Sequence, residues 1–202
     1  MMGIDEVKQH IPLTADQEAR LQIYVELLTK WQKRINLVAP KSLPEVWTRH
    51  ILDSAQLLPL MKNVPGPVLD LGSGAGFPGL VLSILGREDI TLVEADSRKC
   101  AFLREVSRET SAPVEIQTCR IESLSPIRAG IITARALAPV EKLLELASRH
   151  ADLSTHYLFL KGERADEELT TAKKRWKMDI SKAPSMSDKR GVILRLENVS
   201  HG

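Results

Sequence analysis

Four glycines fall within eight residues of the stretch "VLDLGSGAGFPGL", Val68 to Leu80, between an apolar run and a segment that reads as a helix. Glycine costs conformational entropy and contributes no packing, so a cluster of this kind needs a local reason. A sharp chain reversal is one reason; a ligand pressed against main chain is the other. Both belong after the first strand of an open α/β sheet, where ligands bind beyond the strand ends at the topological switch point. This stretch therefore sets the frame in which the rest of the chain is read.

The flanking pattern agrees with an α/β fold. Short apolar runs at 68–71, 90–94, 114–118, 130–134 and 156–161 predict strands, with helices between them near 78–86, 98–110 and 139–150. Runs such as "ITLV" and "YLFL" are apolar on both faces, as buried parallel strands are. The tail predicts a helix near 164–176 and strands near 177–181 and 191–197, giving a mostly parallel seven-stranded sheet with helices on both faces. Before the sheet the pattern is helical. Thr14-Ala15-Asp16-Gln17 has capping-box form and opens a helix whose apolar positions are Leu21, Tyr24, Val25, Leu28, Trp31 and Ile35. Ser42-Leu43-Pro44-Glu45 reads as a second capping box, opening a helix through Trp47, Ile51, Ala55 and Leu58. "NVPGP" at 63–67 stops it, so residues 1–63 form a helical extension packed on a core of residues 64–202. Trp31, Trp47 and Trp176 fall on apolar stripes and read as core.

Composition is that of an ordinary globular chain: 43% hydrophobic, 27% charged and a net charge of +2 over 202 residues. Residues 98–135 carry seven Lys/Arg against four Asp/Glu, and residues 161–202 carry ten against seven, a mild lean toward a polyanionic partner that a solvated surface explains equally well. No apolar segment approaches the roughly 20 residues a membrane helix needs. The N-terminal residues lack the apolar region of a secretory signal, so a cytoplasmic protein is expected. Cys100 and Cys119 have neither disulfide-framework nor metal spacing and read as buried reduced thiols.

A nucleoside ligand needs an acid at the end of the second strand to hold ribose hydroxyls, roughly 20 residues after the turn. Glu94 closes "TLVE", 22 positions after Gly72. Two ligands fit: a nicotinamide or flavin dinucleotide, and S-adenosylmethionine. The glycine spacing here is G-x-G-x-G, not the dinucleotide G-x-G-x-x-G, and no Lys/Arg cluster waits for a pyrophosphate. Asp70, just before the glycines, suits a ligand with an ammonium group, as methionine has. The turn, with Gly72 and Gly74, is therefore assigned to S-adenosylmethionine. No Asn/Asp-Pro-Pro-Tyr follows the fourth strand, neither cysteine follows a proline, and no His/Asp/Glu cluster suggests a metal. What these absences leave includes attack by an acceptor atom that is already nucleophilic, such as a ring nitrogen, for which alignment rather than a general base does the work.

"WQKRINLV", "RHILDS", "DLGSGAGFPGL", "RIES", "TARA" and "LKG", in this order across nearly the whole chain, resemble the bacterial 16S rRNA guanine-N7 methyltransferase family, RsmG or GidB. The resemblance implies a monomeric class I (Rossmann-like) methyltransferase fold, S-adenosylmethionine as donor, and methylation of N7 of a guanine in the 530 loop of 16S rRNA. It further implies Gly72 at the turn, Phe77 beside the cofactor, Glu94 on the ribose, Ile121 and Glu122 at the adenine end, and Arg135 at the mouth where cofactor and substrate converge. Ala95 and Ala134 stand where relatives often carry serine, so hydroxyl roles at those positions are absent here. Arg49, His50, Arg135 and Lys161 are the candidate RNA contacts; for Arg49 with His50 and for Arg135 the alternative is an internal ion pair. A methyltransferase for another RNA or a small molecule, and a non-catalytic RNA-binding protein on the same fold, remain the competing readings.

Overall fold

The computed structural model describes residues 3–202. A seven-stranded sheet carries strands β1 (Val68–Leu71), β2 (Ile90–Glu94), β3 (Val114–Thr118), β4 (Ile131–Arg135), β5 (His156–Lys161), β6 (Trp176–Pro184) and β7 (Val192–His201). The order is β3-β2-β1-β4-β5-β7-β6. β1 to β5 run parallel, and β7 is antiparallel to both β5 and β6. The mostly parallel sheet expected from the alternation of strands and helices is what the chain forms.

Helices α4 (Gly79–Ile84), α5 (Ser97–Thr110), α6 (Val140–Ala147) and α7 (Ala165–Ala172) connect the strands, preceded by α1 (Ile4–Lys8), α2 (Ala15–Gln32) and the short α3 (Asp53–Ala55). Two apolar clusters cover the two faces of the sheet. One joins Leu21, Tyr24 and Leu28 of α2 to Leu80, Leu92 and Phe102; the other joins Leu69, Ile132, Leu144, Phe159 and Leu169. The N-terminal segment thus shares its core with the sheet, as burial of the apolar stripe of α2 requires. Arg20 fastens α2 further by donating to the carbonyls of Thr110 and Ser111 at the end of α5.

Thr14 forms the expected reciprocal capping box with Gln17. Ser42 does not. It lies inside a 3₁₀ stretch, Pro40–Glu45, and its hydroxyl is turned to the Ala39 carbonyl and His50. From Trp47 to Leu52 the chain then forms a π-helical turn before α3. The expected regular helix is thus replaced by three short pieces, since Pro44 removes a backbone donor and the His50 carbonyl also accepts from Ser54 Oγ. α7 ends at Ala172, four residues earlier than expected, because Trp176 already starts β6 and is buried. Cys119 is half-buried, so only Cys100 matches the expectation of a buried thiol; both are free.

The "NVPGP" linker closes over the start of β4. The carbonyl of Pro67 accepts from the amides of Gly130 and Ile131, and a Cβ on Gly130 would run into the carbonyl of Pro65. Gly162, by contrast, has open space around it. Gly130→Ala should therefore destabilise the protein by about 1–3 kcal/mol in urea unfolding, whereas Gly162→Ala stays within about 0.5 kcal/mol.

Candidate functional site

Parallel pairing puts the carboxyl ends of β1, β2, β4 and β5 at one edge of the sheet: Leu71 pairs with Val93 and Ala134, and Arg135 with Leu160. A cleft of about 1030 Å³ opens there, lined by Gly72, Gly74, Phe77, Glu94, Ile121, Glu122 and Arg135. Seven residues assigned to the ligand from sequence alone are thus brought together.

Asp70 is the exception. Its side chain is fully buried beneath the turn and does not line the cleft. Oδ1 accepts from Thr133 Oγ1 at 2.7 Å, and Oδ2 accepts from the amide of Gly79 at 3.3 Å. Its expected contact with a ligand ammonium is corrected accordingly: the carboxylate ties β1 to β4 and to the start of α4. Gly79 follows from this packing, since a Cβ there would strike Leu92 and crowd Asp70 Oδ2. Burial raises the Asp70 pKa to about 6, against the opposing effect of the hydrogen bonds from Thr133, Ser73 and Gly79.

Above Asp70 the chain reverses with φ of +64° at Gly72 and +58° at Gly74. These are left-handed conformations in which a side chain is strained. The Gly74 amide donates to Glu94 Oε2 at 2.9 Å, and the Asp96 amide donates to Oε1 at 2.8 Å. Glu94 therefore holds the turns after β1 and β2 together, and with about four lone-pair positions it keeps acceptor capacity for a ligand. A Cβ on Gly74 would meet only the Gly72 carbonyl, at 3.8 Å. The space over this main chain is open, and a nucleoside pressed against the turn fits it. At Gly72 the corresponding space is taken by the side chain of Leu137, which lines the cleft from the loop after β4.

Phe77 is the centre of a stack. Tyr24 lies at 5.2 Å and His50 at 5.0 Å between ring centroids, both nearly parallel to it, and the Arg135 guanidinium stands 5.1 Å from its centroid. Tyr24 donates its hydroxyl to the Ala75 carbonyl, which fixes the glycine turn to α2. Arg135 Nη1 donates to the Arg49 carbonyl at 2.8 Å and to Asp53 Oδ2 at 3.2 Å, and Nη2 donates to His50 Nδ1 at 2.6 Å. Arginine has no acceptor, so His50 Nδ1 carries no proton; its Nε2–H donates to Ser42 Oγ, which donates in turn to Ala39. Burial, reinforced by the nearby Arg135 and Arg49 charges, lowers the His50 pKa to about 3 and keeps the ring neutral.

These bonds change the reading of the candidate RNA contacts. His50 spends both ring nitrogens internally and is buried. Lys161 is likewise committed: its ammonium donates to the Ala138 carbonyl at 2.9 Å and pairs with Glu168 at 2.6 Å, with its side chain only 9% exposed. It clamps the loop after β4 instead of facing solvent, because Glu168 also accepts from the Val140 amide at the start of α6. Arg49 stays half exposed, with only a 3.9 Å pair to Glu45. Arg135 keeps two of its five N–H donors uncommitted among the described contacts.

Asp53 follows Arg49 and His50 by about one helical turn in "RHILDS". It is the hub of the mouth: Oδ2 takes Arg135, while Oδ1 accepts from Ser187 Oγ at 2.6 Å and Gln56 Nε2 at 2.9 Å. It thereby joins the N-terminal segment to the loop between β6 and β7. The signal for this loop was its polar composition, "SMSDKRG", between two strands. Among the described residues no cluster of three or more His, Cys, Asp or Glu could hold a metal.

Because Asp70 has a folded-state pKa above its unfolded value, the folded chain binds the extra proton between pH 4 and 6, and stability falls as pH rises through this window. Asp70→Asn removes this dependence. In urea titrations the wild type should gain stability relative to Asp70→Asn as pH is lowered from 7 to 5; the His50 contribution is common to both and cancels.

Comparison with known proteins places this geometry. Residues 17–194 match the family model "GidB: rRNA small subunit methyltransferase G". Curated relatives named ribosomal RNA small subunit methyltransferase G include that of Paramagnetospirillum magneticum, 49% identical over 201 residues, covering 100% of this chain and 98% of the relative. That of Rhodospirillum rubrum is 46% identical and covers 94% of each. Similar folds among solved structures include a methyltransferase from Geobacter sulfurreducens (TM-score 0.66, 11% identity, 96% of this chain and 95% of that one). Another is the magnesium protoporphyrin IX methyltransferase of Synechocystis, solved with bound S-adenosylmethionine (TM-score 0.62, 12% identity, 93% and 99%). The sheet that carries the cleft is thus the class I methyltransferase sheet, and the chain belongs to the rRNA small subunit methyltransferase G family.

Proposed function

We propose that this protein transfers a methyl group from S-adenosylmethionine to N7 of a guanine in the 530 loop of 16S rRNA. The observation that carries the reading is the bare main chain at Gly74, held by Glu94 at the mouth of the cleft, with open space where a side chain would lie. Gly72 and Gly74 supply main-chain contacts, Glu94 accepts from the ribose hydroxyls, and Ile121 and Glu122 border the adenine. Once bound, S-adenosylmethionine supplies a sulfonium methyl, which the guanine N7 lone pair takes as the carbon–sulfur bond breaks and positive charge passes from sulfur to the purine. N7 carries no proton, so no general base is required of the chain. Its contribution is alignment and exclusion of water. Arg135, fixed by Asp53, His50 and Phe77, orients the base through its two remaining donors. Membership of the rRNA small subunit methyltransferase G family supports action in the cytoplasm, where its RNA substrate is made, and action as a monomer is part of the same proposal.

Glu94→Ala should weaken S-adenosylmethionine binding at least tenfold, about 1.4 kcal/mol, by isothermal titration; unchanged affinity removes the ribose assignment. Methyl transfer should be detected on 16S rRNA, naked or within 30S particles, and mapped to one guanine. A 530-loop RNA carrying 7-deazaguanosine at that position should accept no methyl group, since carbon replaces the attacking nitrogen; transfer to it would place the reaction on another atom.

A further inference from the structure

Beside the cofactor cleft lies a second, smaller one of about 460 Å³, lined by the turn after α2 and the first residues of α5. Lys33, Arg34 and Asn36 come from the turn, Arg98 and Lys99 from the helix. The turn is built rather than loose: Gln32 Oε1 accepts from the amides of Leu37 and Val38, and its Nε2 donates to the Val38 carbonyl. The acid in the groove, Asp96, is already used. It accepts from the Arg98 and Lys99 amides and pairs with the Arg98 guanidinium at 3.3 Å. Lys33, Arg34 and Lys99 take part in none of the ion pairs among the described residues. Three uncompensated cations therefore share one groove. Lys99 lines the cofactor cleft as well, and Leu37 and Val38 at the end of the same turn line that cleft too, so the groove and the cofactor cleft adjoin at Lys99.

We propose that this groove holds the phosphate backbone of the RNA strand flanking the target guanine, with Lys33, Arg34 and Lys99 as its phosphate ligands. The inference rests on the RNA methyltransferase reading above. No aromatic ring lines the groove, so its contacts are charge and hydrogen bonds to the backbone and carry no base preference. Lys99, shared by both linings, sets the direction: a strand held between α2 and α5 passes this residue into the cleft that Arg135 and Glu94 line.

The test uses the full chain with Lys33→Glu/Arg34→Glu, and Lys173→Glu/Lys174→Glu beyond the end of α7 as an equally exposed charge control. The RNA is a 530-loop fragment, and binding is measured across a salt series. Loss of two phosphate contacts on a single strand should flatten the slope of log affinity against log salt by about 1.4. KM for RNA should rise at least tenfold, with kcat and S-adenosylhomocysteine affinity unchanged. The control should shift each of these much less. Equal effects of the two variants would reduce the groove to overall charge, and an unchanged slope would remove it from the RNA path; either overturns the proposal. Wild-type methyl transfer, measured in parallel, tests the substrate reading separately: loss of RNA binding in the groove variant without wild-type methylation would defeat that reading and leave the groove standing.

Discussion

The cleft depends on one buried carboxylate. Asp70 sits under the glycine turn, where it receives a hydroxyl from the neighbouring strand and an amide from the helix that follows. Burial of a charge without partners is expensive, and here the partners are the elements that must be held in place. Thr133 fixes the separation of β1 and β4 at their carboxyl ends, and Gly79 brings α4 close enough for its amide to reach. The turn above can then take left-handed conformations at Gly72 and Gly74 and keep them.

A second carboxylate works from the side. Glu94 receives the amides of Gly74 and Asp96, so the turns after β1 and β2 are fastened to each other before any ligand arrives. Such pre-organisation lowers the ordering cost of binding. Opposite it, Phe77 gathers Tyr24, His50 and Arg135 into one stack that spans α2, the π-helical turn and the end of β4. The N-terminal segment is in this way part of the cleft wall, and Asp53 extends the connection to the loop between β6 and β7. A π-helical turn at this place is consistent with a local conformation set by the site rather than by helix propensity.

Legibility from the sequence differed by the range of the interaction. Strands β1, β2, β3 and β5 fall where their apolar runs ended, and Gly72, Gly74, Glu94, Ile121, Glu122 and Arg135 all reach the cleft because each sits at or just past the end of a parallel strand or in its turn. A residue's partner is another matter. Asp70 was read as facing a ligand and faces Thr133; Lys161 was a candidate RNA contact and is paired to Glu168, seven residues on. Ser42 matched a capping box in letters but serves His50, eight positions away.

By itself, then, the order of residues determined the sheet, the turn after its first strand and the edge where chemistry gathers, since periodicity, glycine spacing and strand ends are properties of short segments. Tertiary structure alone decided which carboxylate faces the cleft and which lies beneath it, and which cations stay unpaired beside it. The physical reason is that burial and pairing belong to groups brought together from distant parts of the chain: Asp53 with Arg135, Tyr24 with Ala75, Lys99 with the turn after α2.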